Sequence, residues 1–234
     1  MDTSRIAVLL QPFVETPLHE SQLHQISTYI DILLRWNSRI NLTAIRDPEE
    51  IVTRHFGESF FMARHLFPSG VARTLLSANP DATPVQVDQP HPLAPLVTVL
   101  DIGSGAGFPG LPIKLWAPDI SLTLVESNHK KATFLRELSR ALTLTDINVT
   151  TARAETLTTQ SDVVTLRAVD RFETIVPIAA SLVAPAGRLA LLISSKQIPT
   201  LNSVTSFRPS AQIPLPSSNA KVLSIMVLDR KVVI

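Results

Sequence analysis

The sequence predicts an α/β fold with a mostly parallel β-sheet, an antiparallel edge at its C-terminal end and a helical extension at its N-terminal end. Three observations support this prediction. Strand and helix patterns alternate after residue 97, a glycine-rich turn follows the first of these strands, and amphipathic helix patterns precede a proline-rich stretch. With 234 residues, of which 45% are hydrophobic, the chain can bury a substantial core.

The N-terminal segment, residues 1–76, is predicted to be helical. Apolar residues recur at helical spacing from Ser21, which is placed to cap the helix. A second helix is predicted to begin at Asp47, because Pro48 would occupy the first helical position and two glutamates follow. We interpret His55, which falls within the apolar stripe of this helix, as a buried structural histidine and not as a catalytic base.

Residues 77–96 separate this extension from the rest of the chain. They hold five prolines in twenty positions and show no periodicity, so we expect a linker or long loop. The division into an extension, a linker and a third segment, residues 97–234, follows from this break in composition.

The third segment has the alternating pattern of a Rossmann-like domain. Strands are predicted at 97–102, 121–127, 148–152, 162–169 and 187–194. Helical patterns follow the first, second and fourth of these strands, and such crossovers produce a parallel sheet. Residues 220–234 are rich in β-forming residues, so we expect an antiparallel hairpin at the sheet edge.

The turn after the first strand points to a ligand. The stretch VLDIGSGAGFPGLP holds four of the seven glycines, and glycine is favoured where positive φ or close approach is needed. Residues 105–110 satisfy the dinucleotide pattern G-x-G-x-x-G. Residues 101–107 instead satisfy D-x-G-x-G-x-G, which is typical of class I methyltransferases that bind S-adenosylmethionine. The local spacing of the glycines does not distinguish a dinucleotide site from an S-adenosylmethionine site.

Residues at three strand ends favour S-adenosylmethionine. Asp101 would repel a pyrophosphate but attract the cationic amino-acid end of S-adenosylmethionine. Glu126 ends the second strand and can accept hydrogen bonds from both ribose hydroxyls. In class I methyltransferases, the residues after the third strand contact the edge of the adenine. The predicted cofactor site contains Asp101, Gly103, Gly105, Gly107, Glu126, Ala154 and Glu155. Each acidic residue also has a structural interpretation, as a helix or turn cap or a solvated side chain.

Three segments carry a more specific resemblance: residues 35–60, 101–119 and 166–169. They resemble the bacterial small-subunit ribosomal RNA guanine-N7 methyltransferases, historically called glucose-inhibited division protein B, whose motif G-x-G-x-G-F/L-P-G is intact here. The resemblance implies a Rossmann-like class I S-adenosylmethionine-dependent methyltransferase. It also implies methylation of N7 of the guanine at position 527 of 16S ribosomal RNA.

The same resemblance implies roles for individual residues. The positions that match cofactor contacts of the family are Gly103, Phe108, Ala154, Glu155 and Arg167. Arg167 is also the candidate catalytic residue. Guanine N7 has no proton to lose, so no general base is required, and a forked arginine could orient guanine O6 or a phosphate. The structural alternative for Arg167 is a salt bridge with Asp170 or Glu173.

Basic side chains provide candidate RNA contacts. One predicted helix has a basic face formed by Lys130, Lys131 and Arg136. Arg39 lies in the segment WNSRINLT, and we place this segment at the mouth of the site, with Asn37, Asn41 and Thr43. The structural alternative for the basic helix face is that it is only solvated. The structural alternative for the segment WNSRINLT is that it is a helix end stabilised by local hydrogen bonds. The formal net charge of +1 does not decide between them.

Two departures from the family pattern affect the expected substrate geometry. Glu58 stands where the family has the aspartate of H-x-x-D-S. Ser194, Ser195 and Lys196 stand where the family usually has Leu-Lys-Gly.

Composition limits the other possibilities. The absence of cysteine excludes a disulfide framework, a thiol nucleophile and a cysteine zinc site, and we expect no metal. No apolar run is long enough to cross a bilayer and the first residues do not resemble a signal peptide, so we expect a cytoplasmic enzyme. We also expect a monomer, although no sequence feature determines the oligomeric state. The alternatives are a small-molecule methyltransferase and an RNA-binding protein with a decayed cofactor pocket. An NAD-dependent oxidoreductase is disfavoured because no hydride-transfer constellation follows the glycines.

Overall fold

The computed structural model describes residues 1–68, 70, 96–167, 171–216 and 218–228. The predicted linker therefore lies outside the described residues except for Leu96. The helices are α1 (Thr3–Leu10), α2 (Glu20–Asn37), α3 (Pro48–Glu50), a π-helix (Ile51–Gly57), α4 (Glu58–Leu66), α5 (Gly110–Trp116), α6 (His129–Ala141) and α7 (Phe172–Ser181). Two 3₁₀ helices span Ala154–Thr156 and Ser195–Ser203. The strands are β1 (Thr98–Ile102), β2 (Ser121–Val125), β3 (Ile147–Thr150), β4 (Ser161–Arg167), β5 (Val183–Ser194), β6 (Phe207–Leu215) and β7 (Ser218–Leu228).

The seven strands form one sheet in the order β3-β2-β1-β4-β5-β7-β6. Strands β1 to β5 are parallel, whereas β7 runs antiparallel to both β5 and β6. This arrangement confirms the predicted parallel sheet with an antiparallel C-terminal edge. Strand β6, which contains Pro209 and Pro214, was not predicted. Its place at the edge accommodates them, since an edge strand leaves backbone positions free of ladder hydrogen bonds.

Both faces of the sheet are covered. Side chains alternate along a strand, so Ala190 and Leu192 of β5 belong to the apolar core under the N-terminal helices, α5 and α6. Leu189, Leu191 and Ile193 belong to a second core under α7 and the 3₁₀ helix after β5. Burial on both faces explains why β5 is an apolar run and not an alternating strand.

The helical extension shares the first of these cores with the sheet. Ile26 and Leu33 of α2 and Phe56 of the π-helix are fully buried in the same apolar cluster as Val99 of β1 and Leu122 of β2. The extension therefore forms part of the packing that supports the glycine-rich turn.

Of the two helix caps predicted from the sequence, Asp47 is confirmed and Ser21 is not. Asp47 caps α3 by accepting a hydrogen bond from the Glu50 backbone N–H at 2.8 Å. Asn128 caps α6 by accepting from the N–H groups of the two following lysines. The Ser21 cap is wrong, because α2 begins one residue earlier and His19 is its N-cap. The π-helix, a form that is frequent at functional sites, was not predicted.

Candidate active site at the carboxyl ends of the parallel strands

A cavity of about 590 Å³ opens at the carboxyl ends of β1, β2 and β4. Its floor is the glycine-rich turn, and one wall comes from the N-terminal extension. The predicted site residues that line it are Gly103, Gly105, Phe108, Glu126, Lys131, Ala154, Glu155 and Arg167. The cavity occupies the place where parallel α/β sheets bind ligands.

Three glycines of the turn have backbone conformations that other residues rarely adopt. The φ angles are +68° at Gly103, +52° at Gly105 and +93° at Gly107. The turn is tied to β2, because the N–H groups of Gly103 and Ser104 both donate to the Val125 carbonyl at 2.9 and 3.0 Å. The result is an exposed backbone surface that a ligand can approach closely.

Gly107 serves packing and does not line the cavity. A Cβ at this position would contact the hydroxyl group of Tyr29 and the side chain of Leu111. The glycine therefore permits α2 to approach the turn. A direct cofactor contact at Gly107, which the sequence pattern predicts, is not supported by this position.

Glu126 holds the turn and still faces the cavity. Its Oε2 accepts from the Gly105 N–H at 2.9 Å and its Oε1 accepts from the Asn128 N–H at 2.8 Å. Each carboxylate oxygen has a second lone pair. The side chain can thus organise the backbone and also accept hydrogen bonds from ligand hydroxyls.

Asp101 lies beneath the turn and is fully buried, outside the cavity lining. Its Oδ1 accepts from the Thr165 hydroxyl at 2.8 Å, and its Oδ2 accepts from the Gly110 N–H, at the start of α5, at 3.3 Å. Burial raises its pKa to about 6, although these hydrogen bonds oppose the effect. The geometry does not support the predicted contact with the amino-acid end of the cofactor. Asp101 instead joins β1, β4 and α5 below the site.

The 3₁₀ helix after β3 forms the far end of the cavity. Ala154 is buried and Glu155 is exposed, and both line the cavity as predicted. Two further lining residues, Arg153 and Arg171, were missed. Arg153 directly precedes Ala154 and Glu155 in the sequence, so it could have been predicted from its position. Arg171 follows β4 beyond the undescribed residues 168–170 and has positive φ, which the sequence pattern did not reveal.

Arg167 stands at the end of β4 against the N-terminal extension. Its Nη2 lies 3.1 Å from Glu58 Oε2, 2.7 Å from the Arg54 carbonyl and 3.0 Å from His55 Nδ1. Its salt bridge is formed with Glu58. Of the two partners considered from the sequence, Asp170 lies outside the described residues. The guanidinium is thereby fixed at the cavity wall.

His55 is buried and hydrogen-bonded at both ring nitrogens. Because a guanidinium group can only donate, Nδ1 accepts from Arg167, and the Nε2–H donates to the Thr43 hydroxyl oxygen at 2.8 Å. Burial, followed by the positive charge of Arg167, lowers the pKa of His55 to about 3. The predicted burial of His55 is confirmed, but its ring also lines the cavity, so its purely structural role stays a prediction.

Aromatic contacts attach the extension to the turn. The Tyr29 hydroxyl donates to the Ala106 carbonyl at 2.6 Å. The Phe108 ring is stacked between Tyr29, at a centroid distance of 5.1 Å, and His55, at 4.7 Å. Phe108 also lines the cavity, so α2 and the π-helix help to define its shape.

The predicted RNA contacts differ in their surroundings. Arg39 and Lys130 are exposed, and Lys131 lines the cavity. Arg136 donates to the Val149 carbonyl at 3.0 Å and to the Thr151 hydroxyl at 2.7 Å, which holds it beside β3. Asn37, in the same segment as Arg39, is buried, and its Oδ1 accepts from the N–H groups of Leu42 and Thr43. Asn37 therefore stabilises the helix end through local hydrogen bonds, which is the structural alternative for this residue.

The described part of the chain lacks candidate metal sites and membrane-spanning helices. Within it, no group of three or more histidine or acidic side chains could hold a metal ion. None of the described helices combines the length and apolar character that crossing a bilayer requires.

Comparison with solved structures supports the fold. Magnesium protoporphyrin IX methyltransferase from Synechocystis PCC 6803, solved with bound S-adenosylmethionine, is similar with a TM-score of 0.60. The likeness covers 88% of this chain and 97% of that one at 13% identity. At this identity the comparison shows that the two chains share a fold and shows nothing about the substrate.

Sequence comparison establishes the family. Residues 22–72 and 89–212 match the family rRNA small subunit methyltransferase G. The chain is 37% identical over 194 residues to ribosomal RNA small subunit methyltransferase G of Chloroflexus aggregans, covering 80% of this chain and 71% of that protein. Its likeness to the protein of the same name from Roseiflexus castenholzii is 41% over 177 residues, covering 73% of this chain and 64% of that protein. The chain therefore belongs to the rRNA small subunit methyltransferase G family.

Proposed function

We propose that this protein transfers the methyl group of S-adenosylmethionine to N7 of a guanine in 16S ribosomal RNA, the target that the resemblance places at position 527. The observation that carries the proposal is the cavity described above, in which the glycine-rich turn, Glu126 and Arg167 meet in a member of this family. The relatives' names support small-subunit ribosomal RNA as the substrate.

The cavity fits S-adenosylmethionine. Glu126 faces the position expected for the ribose, and the backbone of Gly103 and Gly105 leaves room for the amino-acid end. Ala154 and Glu155 border the position expected for adenine. When bound, the cofactor supplies a methyl group already activated by a positively charged sulfur.

The protein's part in the reaction is to position the acceptor. Guanine N7 attacks with a lone pair, so no side chain has to remove a proton, and His55 is hydrogen-bonded in a form that does not act as a base. Holding the reacting atoms in line within about 3–3.5 Å supplies much of the rate advantage. Arg167, fixed by Glu58 and the Arg54 carbonyl, is the residue we assign to orienting the guanine.

Basic side chains near the cavity suit phosphate contacts. Lys131, Arg153 and Arg171 line its rim, and Lys130, Arg136 and Arg39 stand on nearby exposed surface. We assign these six residues to the RNA backbone, where each neutralised phosphate contributes to a salt-dependent affinity. We also propose that the enzyme acts as a monomer in the cytoplasm.

The test is methyl transfer from labelled S-adenosylmethionine to small subunits that lack the modification, followed by mapping of N7-methylguanine. Label at one guanine of 16S RNA is the expected result. Label only on a metabolite would establish the small-molecule alternative. Absence of calorimetric heat at millimolar cofactor would instead favour an RNA-binding protein with a decayed pocket.

A further inference from the structure

A second cavity, of about 210 Å³, shares the lining residue Arg167 with the first. It lies between α4, α7 and the ends of β4, β5 and β7. Its polar lining consists of Glu58, Arg167, Ser194, Gln197 and Lys221, and Phe172 contributes an aromatic wall. Because Arg167 borders both cavities, a molecule in the second one lies next to the cofactor cavity.

Glu58 is the central polar group of this second cavity. The side chain is only 2% exposed. Its Oε1 lies 2.6 Å from Lys221 Nζ and its Oε2 lies 3.1 Å from Arg167 Nη2. A buried carboxylate held by two cations has a fixed orientation, and each oxygen retains a lone pair for a further donor.

Lys221 belongs to a strand that the active-site motifs do not include. It pairs with Ser194 in the antiparallel ladder between β7 and β5, which places it at the cavity. Its side chain is 32% exposed, so Lys221 is only partly covered by the surrounding protein.

We propose, on the basis of the proposed function, that this second cavity takes the acceptor guanine and that Glu58 is the specificity-determining residue. The Watson–Crick edge of guanine presents two adjacent donors, N1–H and the N2 amino group, which match the two oxygens of a carboxylate. Adenine presents an acceptor at N1 and is rejected, since two acceptors would face each other without a proton. Lys221 is a positioning residue that fixes Glu58.

The same arrangement orients the methylated atom. Around the guanine ring, O6 follows N1, and N7 lies beyond O6. With N1–H on Glu58 Oε2, the oxygen that contacts Arg167, and the N2 amino group on Oε1, O6 lies on the side of Arg167, whose guanidinium donates only. N7 is then directed past Arg167 toward the cofactor cavity.

The experiment compares guanine with inosine, which lacks only the N2 amino group. Small subunits are reconstituted with RNA that carries either base at the mapped target, and kcat and KM are measured for wild type, Glu58→Gln and Lys221→Met. Lys196→Met is the matched control, because Lys196 is an exposed lysine close in sequence to Ser194 and outside the cavity lining. Calorimetry gives the cofactor Kd of each protein.

Wild type and Lys196→Met are expected to prefer guanine by at least about tenfold in kcat/KM. Glu58→Gln and Lys221→Met should lose most of this preference while their cofactor Kd stays within about threefold, and Lys221→Arg should restore it. Equal use of guanine and inosine by wild type, or an unchanged preference in folded Glu58→Gln, would overturn the inference. If Glu58→Gln does not fold, the preference of Lys221→Met decides. Absence of transfer to any guanine by wild type would instead remove the proposed function.

Discussion

At the scale of single residues, His55 has an unusual environment that can be tested directly. Its neutral ring accepts from Arg167 at Nδ1 and donates to Thr43 from Nε2, and its pKa is lowered to about 3. Nitrogen NMR of the folded protein should therefore show one neutral tautomer, protonated at Nε2, from pH 8 down to about 4. A titration of this ring with a midpoint near 6.5 would contradict the hydrogen-bond assignment.

His55 also links folding to pH. The unfolded chain binds a proton at this ring near pH 6.5, whereas the folded protein does so only near pH 3. Its contribution to stability is therefore complete above pH 6.5 and is lost as the pH falls toward 3, by about 1.4 kcal/mol for each unit within this window. In urea titrations, His55→Gln should show a shallower fall in the free energy of unfolding over this range. An unchanged slope would show that other groups determine it.

Asp101 should produce the opposite pH dependence. Burial raises its pKa from 3.8 to about 6, so the folded state holds the proton more tightly than the unfolded state. Its contribution is then fully present below pH 3.8 and is lost as the pH rises through 6. Asp101→Asn should remove this decline between pH 4 and 6, as measured by urea denaturation. A wild-type decline that persists in the variant would assign it to another carboxyl group.

At the scale of elements, the contact between α2 and the glycine-rich turn depends on one hydroxyl. Tyr29→Phe removes the donor to the buried Ala106 carbonyl and leaves that acceptor without this partner. We expect a loss of about 1–3 kcal/mol in stability and weaker cofactor binding by calorimetry. Ser27→Ala is the matched control, because it removes a hydroxyl of the same helix that bonds to Met1 instead. Equal cofactor affinities in the two variants would show that Tyr29 does not position the turn.

The elements differ in how well the sequence predicted them. Parallel strands such as β1 and β2 were predictable because apolar runs alternate with helical patterns and a glycine-rich turn follows the first. Strand β6 was not, because its two prolines resemble a loop until the edge position is known. The π-helix was missed because seven residues are too few to distinguish its period from that of an α-helix.

The candidate site shows the same division. Gly103, Gly105 and Glu126 were predictable because they follow strands whose carboxyl ends meet at one edge, whereas Arg167 was predicted from the family resemblance. The pairing of Arg167 with Glu58 was not, since 109 residues separate them and only the packing of α4 against the sheet brings them together. Asp101 was predicted as a ligand contact because sequence position does not distinguish a residue beside the turn from one beneath it.

At the scale of the whole molecule, the extension and the sheet are expected to unfold together. The apolar core that contains α2 also contains β1 and β2, and the Trp116 indole of α5 donates to the Phe67 carbonyl at 2.8 Å, just after α4. A shared core of this kind makes unfolding cooperative, because neither part can open without exposing the apolar surface of the other.

The two tryptophans allow this cooperativity to be measured. Trp36 lies in the extension and Trp116 in the sheet domain. In Trp116→Phe, fluorescence reports on Trp36 of α2 and on its contact with Phe134 of α6, while far-ultraviolet circular dichroism reports on the whole chain. The two urea transitions should coincide in this variant, and likewise in Trp36→Phe, where fluorescence reports on α5. A Trp36 transition at clearly lower urea than the circular dichroism transition would instead mean that the extension detaches first. Cofactor affinity should then be lost at the same urea concentration, because Tyr29 and His55 of the extension stack on Phe108 of the glycine-rich turn.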